Sequence, residues 1–184
     1  MREINENIES IVLGGGCFWC LDAAYSRIKG VVSVSCGYAG GQSENPNYDQ
    51  VSTGTTGHAE VVMVEYDKTR ISLKDILYIF FTIHDPTTLN RQGSDIGTQY
   101  RSIILFQDQD QLRTIQQVME EINKEGLYDN KIVTELKKLE KFYLAEEYHQ
   151  KYYKKNPDQA YCQLVIAPKI KKIKEKYQKF YQND

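Results

Sequence analysis

The strongest constraint on the fold is a change in the spacing of apolar residues at the three glycines 14–16. Before the glycines, residues 9–13 form a short apolar run that favours a buried strand. After them, apolar residues from position 17 to position 28 recur with the helical period, and Gly30 is placed to end that helix. A strand, a tight glycine turn and a helix therefore open the chain.

The same alternation of strand and helix patterns continues. Residues 31–36 and 59–66 alternate as strands, Ser72 with Asp75 forms a capping-box signature that opens a helix, and residues 102–106 form another strand. The order β-α-β-β-α-β predicts an α+β fold with a ferredoxin-like α/β plait as its core. Additional C-terminal helices and extended segments are then expected: a helix ending at Gly126, an extended segment over 132–143, a helix over 145–154 and a helix from Pro168 into the tail.

Length and charge limit the class of protein. The 184 residues suit a single domain, 1–184, which can bury a core without disulfide cross-links. A net charge of −2 and a pI near 6.0 favour neither nucleic acid nor an anionic membrane as a partner. No signal-peptide pattern and no run of about 20 apolar residues is evident. We therefore expect a cytoplasmic monomer, whose four cysteines are not a disulfide framework.

The expected topology brings four parts of the chain to one end of the sheet. They are the turn at Cys17, the loop 37–58, the start of a strand at Glu60 and the loop 84–100. The two loops are long, polar and rich in glycine, and such loops on a rigid scaffold commonly carry binding and catalytic residues. The active site is therefore expected at this end.

Cys17 and Cys20 flank Trp19, the only tryptophan of the chain. Three explanations compete: a zinc knuckle, a dithiol redox pair, or one nucleophilic thiol beside an aromatic pocket. Zinc would need two further ligands at a suitable spacing, and there is no second Cys-x-x-Cys. Because unpaired N–H groups at a helix start favour an anion, we expect the pKa of Cys17 to be lowered. Phe18 and Trp19 can then form a wall for a small apolar group such as a methyl.

Six motifs occur in a fixed order between about Ile11 and Cys162: GGGCFWC, GYAGG, NPNYDQV, TGTTGHAEVV, HDPTTLNRQGSDIGTQYRS and AEEYHQKYY. In these motifs the chain resembles the A class of peptide methionine sulfoxide reductases. The resemblance implies an oxidoreductase that reduces the S epimer of methionine sulfoxide in proteins, with the free amino acid as a further candidate substrate. Its function would be protein repair in the response to oxidative stress. It implies no metal and no bound cofactor, with thioredoxin or another dithiol as the external reductant.

The resemblance also implies roles for individual residues. Cys17 would attack the sulfoxide sulfur and become a sulfenic acid. Glu60 would be the neutral acid that protonates the sulfoxide oxygen, which is otherwise a poor leaving group. The other residues would bind the substrate: Phe18 and Trp19 at the ε-methyl group, Tyr48 and Tyr100 at the sulfoxide oxygen, and Asp95 in support of the polar side.

The recycling step is where the chain departs from the family pattern. Members commonly carry resolving cysteines in a glycine-rich C-terminal segment, whereas residues 160–166 lack a glycine run and hold Cys162 alone. Cys162 is the favoured resolving thiol, and Cys20, one helical turn from Cys17, is the alternative. Cys36 shares a strand face with valines and is expected in the core.

Two other functions are compatible with parts of this pattern. The chain could be a catalytically silent relative that binds oxidised methionine segments, or a thiol oxidoreductase that acts on disulfides. Neither function explains the joint presence of Cys17, Glu60 and the two tyrosines, so reduction of methionine sulfoxide is the expected activity. His58 and His149 also lie in the motifs, and we expect them to form supporting hydrogen bonds.

Overall fold

The computed structural model describes residues 6–183, and its helices and strands alternate as the apolar patterns indicate. The first part of the chain forms β1 (Ile8–Gly14), α1 (Phe18–Tyr25), β2 (Val31–Ala39), α2 (Tyr48–Ser52), β3 (Ala59–Asp67) and α3 (Leu73–Ile83). The second part forms β4 (Arg91–Gln92), β5 (Asp95–Ile96), β6 (Ile103–Phe106), α4 (Gln109–Glu125), β7 (Glu135–Lys138), β8 (Phe142–Leu144), α5 (Tyr152–Lys155) and α6 (Ala167–Lys176). Single turns of 3₁₀ helix lie at Thr98–Tyr100 and Glu147–His149, and a π-helical turn lies at Cys162–Ile166. The mixture is an α+β fold, as predicted.

Six strands form one sheet in the order β7-β6-β1-β3-β2-β8. Neighbouring strands are antiparallel, except for the parallel pair of β6 and β7. Tyr38 near the end of β2 lies opposite Glu60 near the start of β3, and Gly14 at the end of β1 lies opposite Ile103 at the start of β6. The ends of β1 and β2 therefore meet the starts of β3 and β6 at one edge of the sheet.

Alternate residues of the strands face two separate cores. Ile11 and Leu13 of β1 belong to the larger core, which includes residues of α1, α3 and α4. Val12 points to the opposite face, into a smaller core against which Phe142 packs. Cys36 is fully buried in the larger core, as expected. Because both faces of the sheet are covered, its central strands are apolar on both sides.

Two helix ends follow the local sequence. Ser72 accepts a hydrogen bond from the backbone N–H of Asp75 at the start of α3, and Asp75 accepts one from Ser72 in return. Gly126 ends α4 with a φ of +64°, a left-handed conformation that suits glycine. The longest helix, α4, has 17 residues. Within residues 6–183, no helix is both long enough and apolar enough to cross a membrane.

Two predicted helices are too long at their C-terminal ends. Helix α1 ends at Tyr25 rather than at Gly30, and α6 ends at Lys176 rather than continuing through the tail. The residues beyond these ends pair with each other, since Ile28 and Tyr181 form an antiparallel bridge. Pairing between distant parts of the chain replaces helix here, and an apolar period cannot reveal such pairing.

The remaining corrections concern short elements. Strand β2 runs to Ala39, so the loop expected over 37–58 begins later, and it contains α2. The loop 84–100 contains β4 and β5, the extended segment 132–143 divides into β7 and β8, and the helix expected over 145–154 is a 3₁₀ turn followed by α5. The short elements α2, β4, β5, β7, β8 and α5 and the 3₁₀ turn each have at most five residues. Such elements are too short for a reliable periodic signal.

We expect Ser72→Ala to lower the free energy of unfolding by about 1 kcal/mol, because the first turn of α3 loses its capping acceptor. Urea denaturation of the variant and the wild type measures the change. Ser94→Ala is the matched control, since Ser94 is exposed and has no hydrogen-bond partner in the described part of the chain. A similar loss in both variants would show that the cap does not contribute.

Candidate active site

Three glycines form the turn that carries the chain from β1 into α1. A Cβ on Gly14 would lie 2.9 Å from the carbonyl oxygen of Glu60, so only glycine allows β1 and β3 to approach this closely. Gly16 has a φ of +84°, which glycine adopts without strain. Cys17 follows in an extended conformation as the N-cap residue of α1. The turn therefore presents Cys17 at the sheet edge where β3 begins.

A cavity of about 170 Å³ lies at this edge of the sheet. The residues that line it are Cys17, Phe18, Trp19, Tyr48, Glu60, Asp95, Tyr100 and Tyr161. Seven of the eight are site residues named from the sequence, Tyr161 is additional, and Cys162 is outside the lining. A larger cleft of about 290 Å³ lies beside α1 and β2, but its lining, which includes Asp22 and Arg27, contains no cysteine.

Glu60 is almost completely buried in the wall of the cavity, with 3% of its surface exposed. Burial raises the pKa of Glu60 to about 8, and the charge of Asp95 raises it as well. Hydrogen bonds from the N–H of Phe18, at 3.1 Å, and from the Cys17 thiol act in the opposite direction. Glu60 is therefore mostly neutral at pH 7 and holds a proton that it can donate inside the cavity.

The prediction that the pKa of Cys17 is lowered is wrong. Burial raises the pKa of the Cys17 thiol well above its ordinary value, and the charges of Glu60 and Cys20 raise it further. The N–H of Trp19 favours the thiolate, as the helix start predicts, but this effect is smaller than the burial. Cys17 is therefore a thiol at neutral pH.

Two tyrosine hydroxyls stand on the walls of the same cavity. Burial raises the pKa of Tyr48 and of Tyr100, and the charge of Glu60 raises both further. A side-chain hydrogen bond with Ser52 acts in the opposite direction on the pKa of Tyr48. The carbonyl of Tyr100 also accepts the N–H of Gly16 at 3.1 Å, which connects its turn to the turn of Cys17.

Trp19 is held in place by side chains that follow β8. Its indole N–H donates to Nδ1 of His149 at 3.1 Å, and its ring stacks on Tyr152 with 3.6 Å between centroids. Tyr161 meets the indole edge-on at 5.9 Å. The supporting hydrogen bond expected of His149 is therefore present. Sequence reasoning assigned no role to Tyr152 or Tyr161, although Tyr152 lies within the AEEYHQKYY motif and could have been found there.

Two carboxylates hold the tyrosines of the site. Asp95 accepts a hydrogen bond from the hydroxyl of Tyr161 at 2.7 Å. Glu146 accepts the hydroxyl of Tyr38 and the backbone N–H of Tyr48, each at 3.1 Å, and so fixes the start of α2. Glu146 belongs to the same AEEYHQKYY motif but was not singled out from the sequence.

His58 organises the loop that precedes β3. Its Nδ1 accepts the N–H of Gly41 at 3.0 Å, and with Nδ1 as acceptor its Nε2 is the donor to the carbonyl of Ser43 at 2.7 Å. A Cβ on Gly41 would lie 2.2 Å from the backbone nitrogen of His58. The histidine therefore fixes loop geometry, as expected, and is not among the residues that line the cavity.

All four cysteines are free thiols. Cys162 is fully buried in a cluster of Cys20, Ala23, Cys162, Ile166 and Ile170, where α1 meets the π-helical turn and α6. Within residues 6–183, no group of three or more histidine, cysteine, aspartate or glutamate side chains could hold a metal ion.

A family model described as peptide methionine sulfoxide reductase matches residues 9–181. The chain belongs to this family. It is 58% identical over 161 residues to the peptide methionine sulfoxide reductase MsrA of Nautilia profundicola, covering 88% of this chain and 91% of that protein. Among solved structures, the reduced form of Mxr1 from Saccharomyces cerevisiae matches with a TM-score of 0.79 and 37% identity, covering 88% of this chain and 92% of Mxr1. Mxr1 in complex with Trx2 matches with a TM-score of 0.55 and 27% identity, covering 83% and 89%. The family inferred from the motifs is confirmed.

We expect Glu60→Gln to be more stable than the wild type at pH 8.5, by on the order of 2 to 4 kcal/mol. The pKa of Glu60 rises from an ordinary 4.5 to about 8 on folding, so the folded state binds the extra proton between these values. The stability that the proton provides is complete below about pH 4.5 and is lost as the pH rises through 8.

Urea denaturation at pH 4.5 and pH 8.5 measures this difference. Glu140→Gln is the control, because Glu140 is exposed. The prediction fails if Glu60→Gln and Glu140→Gln lose stability equally between the two pH values.

Proposed function

We propose that this protein reduces the S epimer of methionine sulfoxide to methionine, in oxidised proteins and as the free amino acid, and so repairs oxidised proteins. The observation that carries the proposal is one cavity in which a thiol, a neutral carboxyl group, two tyrosine hydroxyls and an aromatic wall meet. Each group matches a part of the substrate: the sulfur, the oxygen or the methyl group. Membership of the reductase family supports the same activity.

Substrate binding follows from the two sides of the cavity. The hydroxyls of Tyr48 and Tyr100 donate to the sulfoxide oxygen, which is a strong acceptor, and hold it beside Glu60. Phe18 and Trp19 receive the ε-methyl group. Asp95 acts indirectly, because it fixes Tyr161 at the edge of Trp19. A sulfoxide sulfur held in this way faces Cys17.

The reductase step moves one oxygen atom and shuttles one proton. Cys17 Sγ attacks the sulfoxide sulfur while Glu60 gives its proton to the oxygen. The hydroxyl then moves from the methionine sulfur to Cys17 Sγ: a bond between oxygen and Cys17 forms, the bonds from the methionine sulfur to oxygen and to Cys17 break, and methionine leaves the Cys17 sulfenic acid behind. The thiol proton of Cys17 passes to Glu60, which lines the same cavity. Glu60 is therefore neutral again at the end of the step.

Recycling uses a second thiol and an external dithiol. Condensation of the Cys17 sulfenic acid with another cysteine releases water and leaves a disulfide, which thioredoxin then reduces. The sequence favours Cys162 as the recycling thiol, and the complex of Mxr1 with Trx2 supports thioredoxin as the partner. Because the electrons pass through thiols throughout, the proposed enzyme works without a metal or a bound cofactor. We propose that it acts as a cytoplasmic monomer.

The fold proposal is a ferredoxin-like plait inside a single catalytic domain. Strands β6-β1-β3-β2 are neighbours in that order and antiparallel, and residues of α1 and α3 join the core on one of their faces. Strands β7 and β8 extend this unit at its two edges. These observations support a plait with two added edge strands.

We expect the wild type to produce methionine from the S epimer with dithiothreitol as the reductant, and Cys17→Ser to produce none. Assays on the separated R and S epimers measure both results. Cys36→Ala is the control, because Cys36 is a buried core thiol that is not among the residues lining the cavity. Absence of turnover of either epimer by the wild type would contradict the proposed function, and activity in Cys17→Ser would move the nucleophile to another cysteine.

We expect Glu60→Gln to slow methionine formation in a single turnover by about a hundredfold, the usual scale for a lost general acid. In the wild type the rate should fall as the pH rises through about 8, because only neutral Glu60 can donate. The variant should lack this decline. Rapid-quench measurements between pH 6 and 9 test both points, and a wild-type rate in Glu60→Gln would identify Tyr48 or Tyr100 as the proton donor.

A further inference from the structure

Helix α2 carries Tyr48 and is too short to hold its own position. It has five residues, Tyr48–Ser52, of which only Val51 is buried. Its capping box joins the exposed side chains of Asn47 and Gln50 to the backbone of the same turn, so it supports the helix but does not fix its place in the protein. Helices of fewer than about 12 residues are marginal in water without tertiary contacts. The position of the Tyr48 side chain therefore depends on what holds the two ends of α2.

Glu146 holds the start of α2 against the sheet. Its Oε2 accepts the backbone N–H of Tyr48, and its Oε1 accepts the hydroxyl of Tyr38, each at 3.1 Å. Tyr38 is fully buried in β2, opposite Glu60 on β3. The first N–H groups of a helix have no partner inside it and favour an anion. One side chain therefore ties the first residue of α2 to the strand that lies beside Glu60.

The turn of Tyr100 holds the other end of α2. Gln99 is buried, and its Nε2 donates to the carbonyl of Ser52, the last residue of α2, at 3.3 Å. The hydroxyl of Thr98 donates to the carbonyl of Gly54, also at 3.3 Å. Gln99 and Thr98 belong to the 3₁₀ turn that ends with Tyr100. The turn that carries one tyrosine of the site therefore holds the helix that carries the other.

Neither Glu146 nor Gln99 is among the residues that line the catalytic cavity. Glu146 also accepts the hydroxyl of the exposed Tyr148, at 3.4 Å, and Tyr148 does not line the cavity either. An effect of Glu146 or Gln99 on the reaction therefore has to pass through a residue that does line it. Tyr48 is such a residue, and the helix that begins with it is held by both.

We propose that Glu146 and Gln99 are positioning residues, which hold α2 from its two ends and so set where the hydroxyl of Tyr48 stands relative to that of Tyr100. This inference rests on the proposed reductase function. The sulfoxide oxygen can accept from both tyrosines only where the two hydroxyls converge, and a misplacement of about 1 Å in such a site can cost roughly a hundredfold in rate. Glu146 has the larger effect, because it holds Tyr48 itself, whereas Gln99 holds the far end of the helix.

A double-mutant cycle on methionine formation in a single turnover tests the proposal. Tyr48→Phe removes the hydroxyl and should itself slow the reaction by about tenfold. Glu146→Ala should cost a similar factor when Tyr48 is present, and less than about twofold in Tyr48→Phe, because without the hydroxyl its placement no longer matters. Gln99→Met keeps the size of the side chain and removes the donor, so it should show the same pattern with a loss of about threefold.

Glu146→Gln should restore most of the rate. Its amide oxygen can accept the N–H of Tyr48, and its NH₂ group can donate to the hydroxyl of Tyr38, which rotates to act as the acceptor. Glu147→Ala is the matched control, since Glu147 is the next residue and its side chain is 89% exposed. Alkylation of Cys17 by iodoacetamide without substrate reports on the turn of the nucleophile, and its rate should be the same in Glu146→Ala and the wild type.

Four outcomes would overturn the inference: a wild-type rate in Tyr48→Phe, a wild-type rate in Glu146→Ala, a loss in Glu146→Ala that is equally large in Tyr48→Phe, or a changed alkylation rate of Cys17. Either of the last two would show that Glu146 supports the whole site rather than the tyrosine. Circular dichroism reports whether each variant is folded, and if Glu146→Ala is not, Gln99→Met in the two backgrounds decides by the same criterion. If the wild type forms no methionine at all, the proposed reductase function is wrong, and that result is distinct from every failure of the cycle.

Discussion

The hydrogen bond from the N–H of Phe18 to Glu60 joins the sheet to the first turn of α1, and the active site depends on it. It fixes one oxygen of the buried carboxyl group of Glu60. It also places Glu60 beside Cys17, which is the N-cap residue of the same helix. The close approach that this bond needs is possible because Gly14 has no side chain to separate β1 from β3.

The burial of Glu60 and Cys17 is the second feature on which the site depends. It keeps Glu60 as a neutral carboxyl group and Cys17 as a neutral thiol. Reactive carboxyl and thiol groups are more often the charged carboxylate and thiolate. A neutral acid and a neutral thiol can exchange protons through the substrate without any charge remaining in the cavity. Free charge in such surroundings would be costly, so the arrangement suits a reaction with no net charge change.

Much of this arrangement follows from the sequence. The apolar periods predicted the strands β1, β2, β3 and β6 to within a few residues, and the connection order then required their loops to meet at one edge of the sheet. The roles of Tyr48, Asp95 and Tyr100 came from motif resemblance, since one tyrosine among 14 has no distinguishing pattern of its own. The structure places all three on the cavity wall, and their roles remain proposals.

What the sequence did not reveal depends on contacts between distant residues. The expected fall in the pKa of Cys17 considered the helix start alone and omitted burial against Glu60, a residue 43 positions away that only the folded chain brings near. Tyr161 meets Trp19 only in the folded chain, and it lies outside the motifs, so no local pattern marks it.

The bridge between Ile28 and Tyr181 affects the order in which parts of the chain can fold during synthesis. Backbone hydrogen bonds from Lys29 to Phe180, at 2.6 Å, and from Gln182 to Arg27, at 2.9 Å, flank the bridge, so the last residues of the chain support the segment that leaves α1. A ribosome adds roughly 5 to 20 residues per second, so that segment waits on the order of ten seconds for its partner. Helix α1, which carries Cys17, is therefore made well before the segment that supports its C-terminal end. A nascent chain therefore carries Cys17 and Cys20 through the synthesis of about 150 residues before the segment after α1 has its partner.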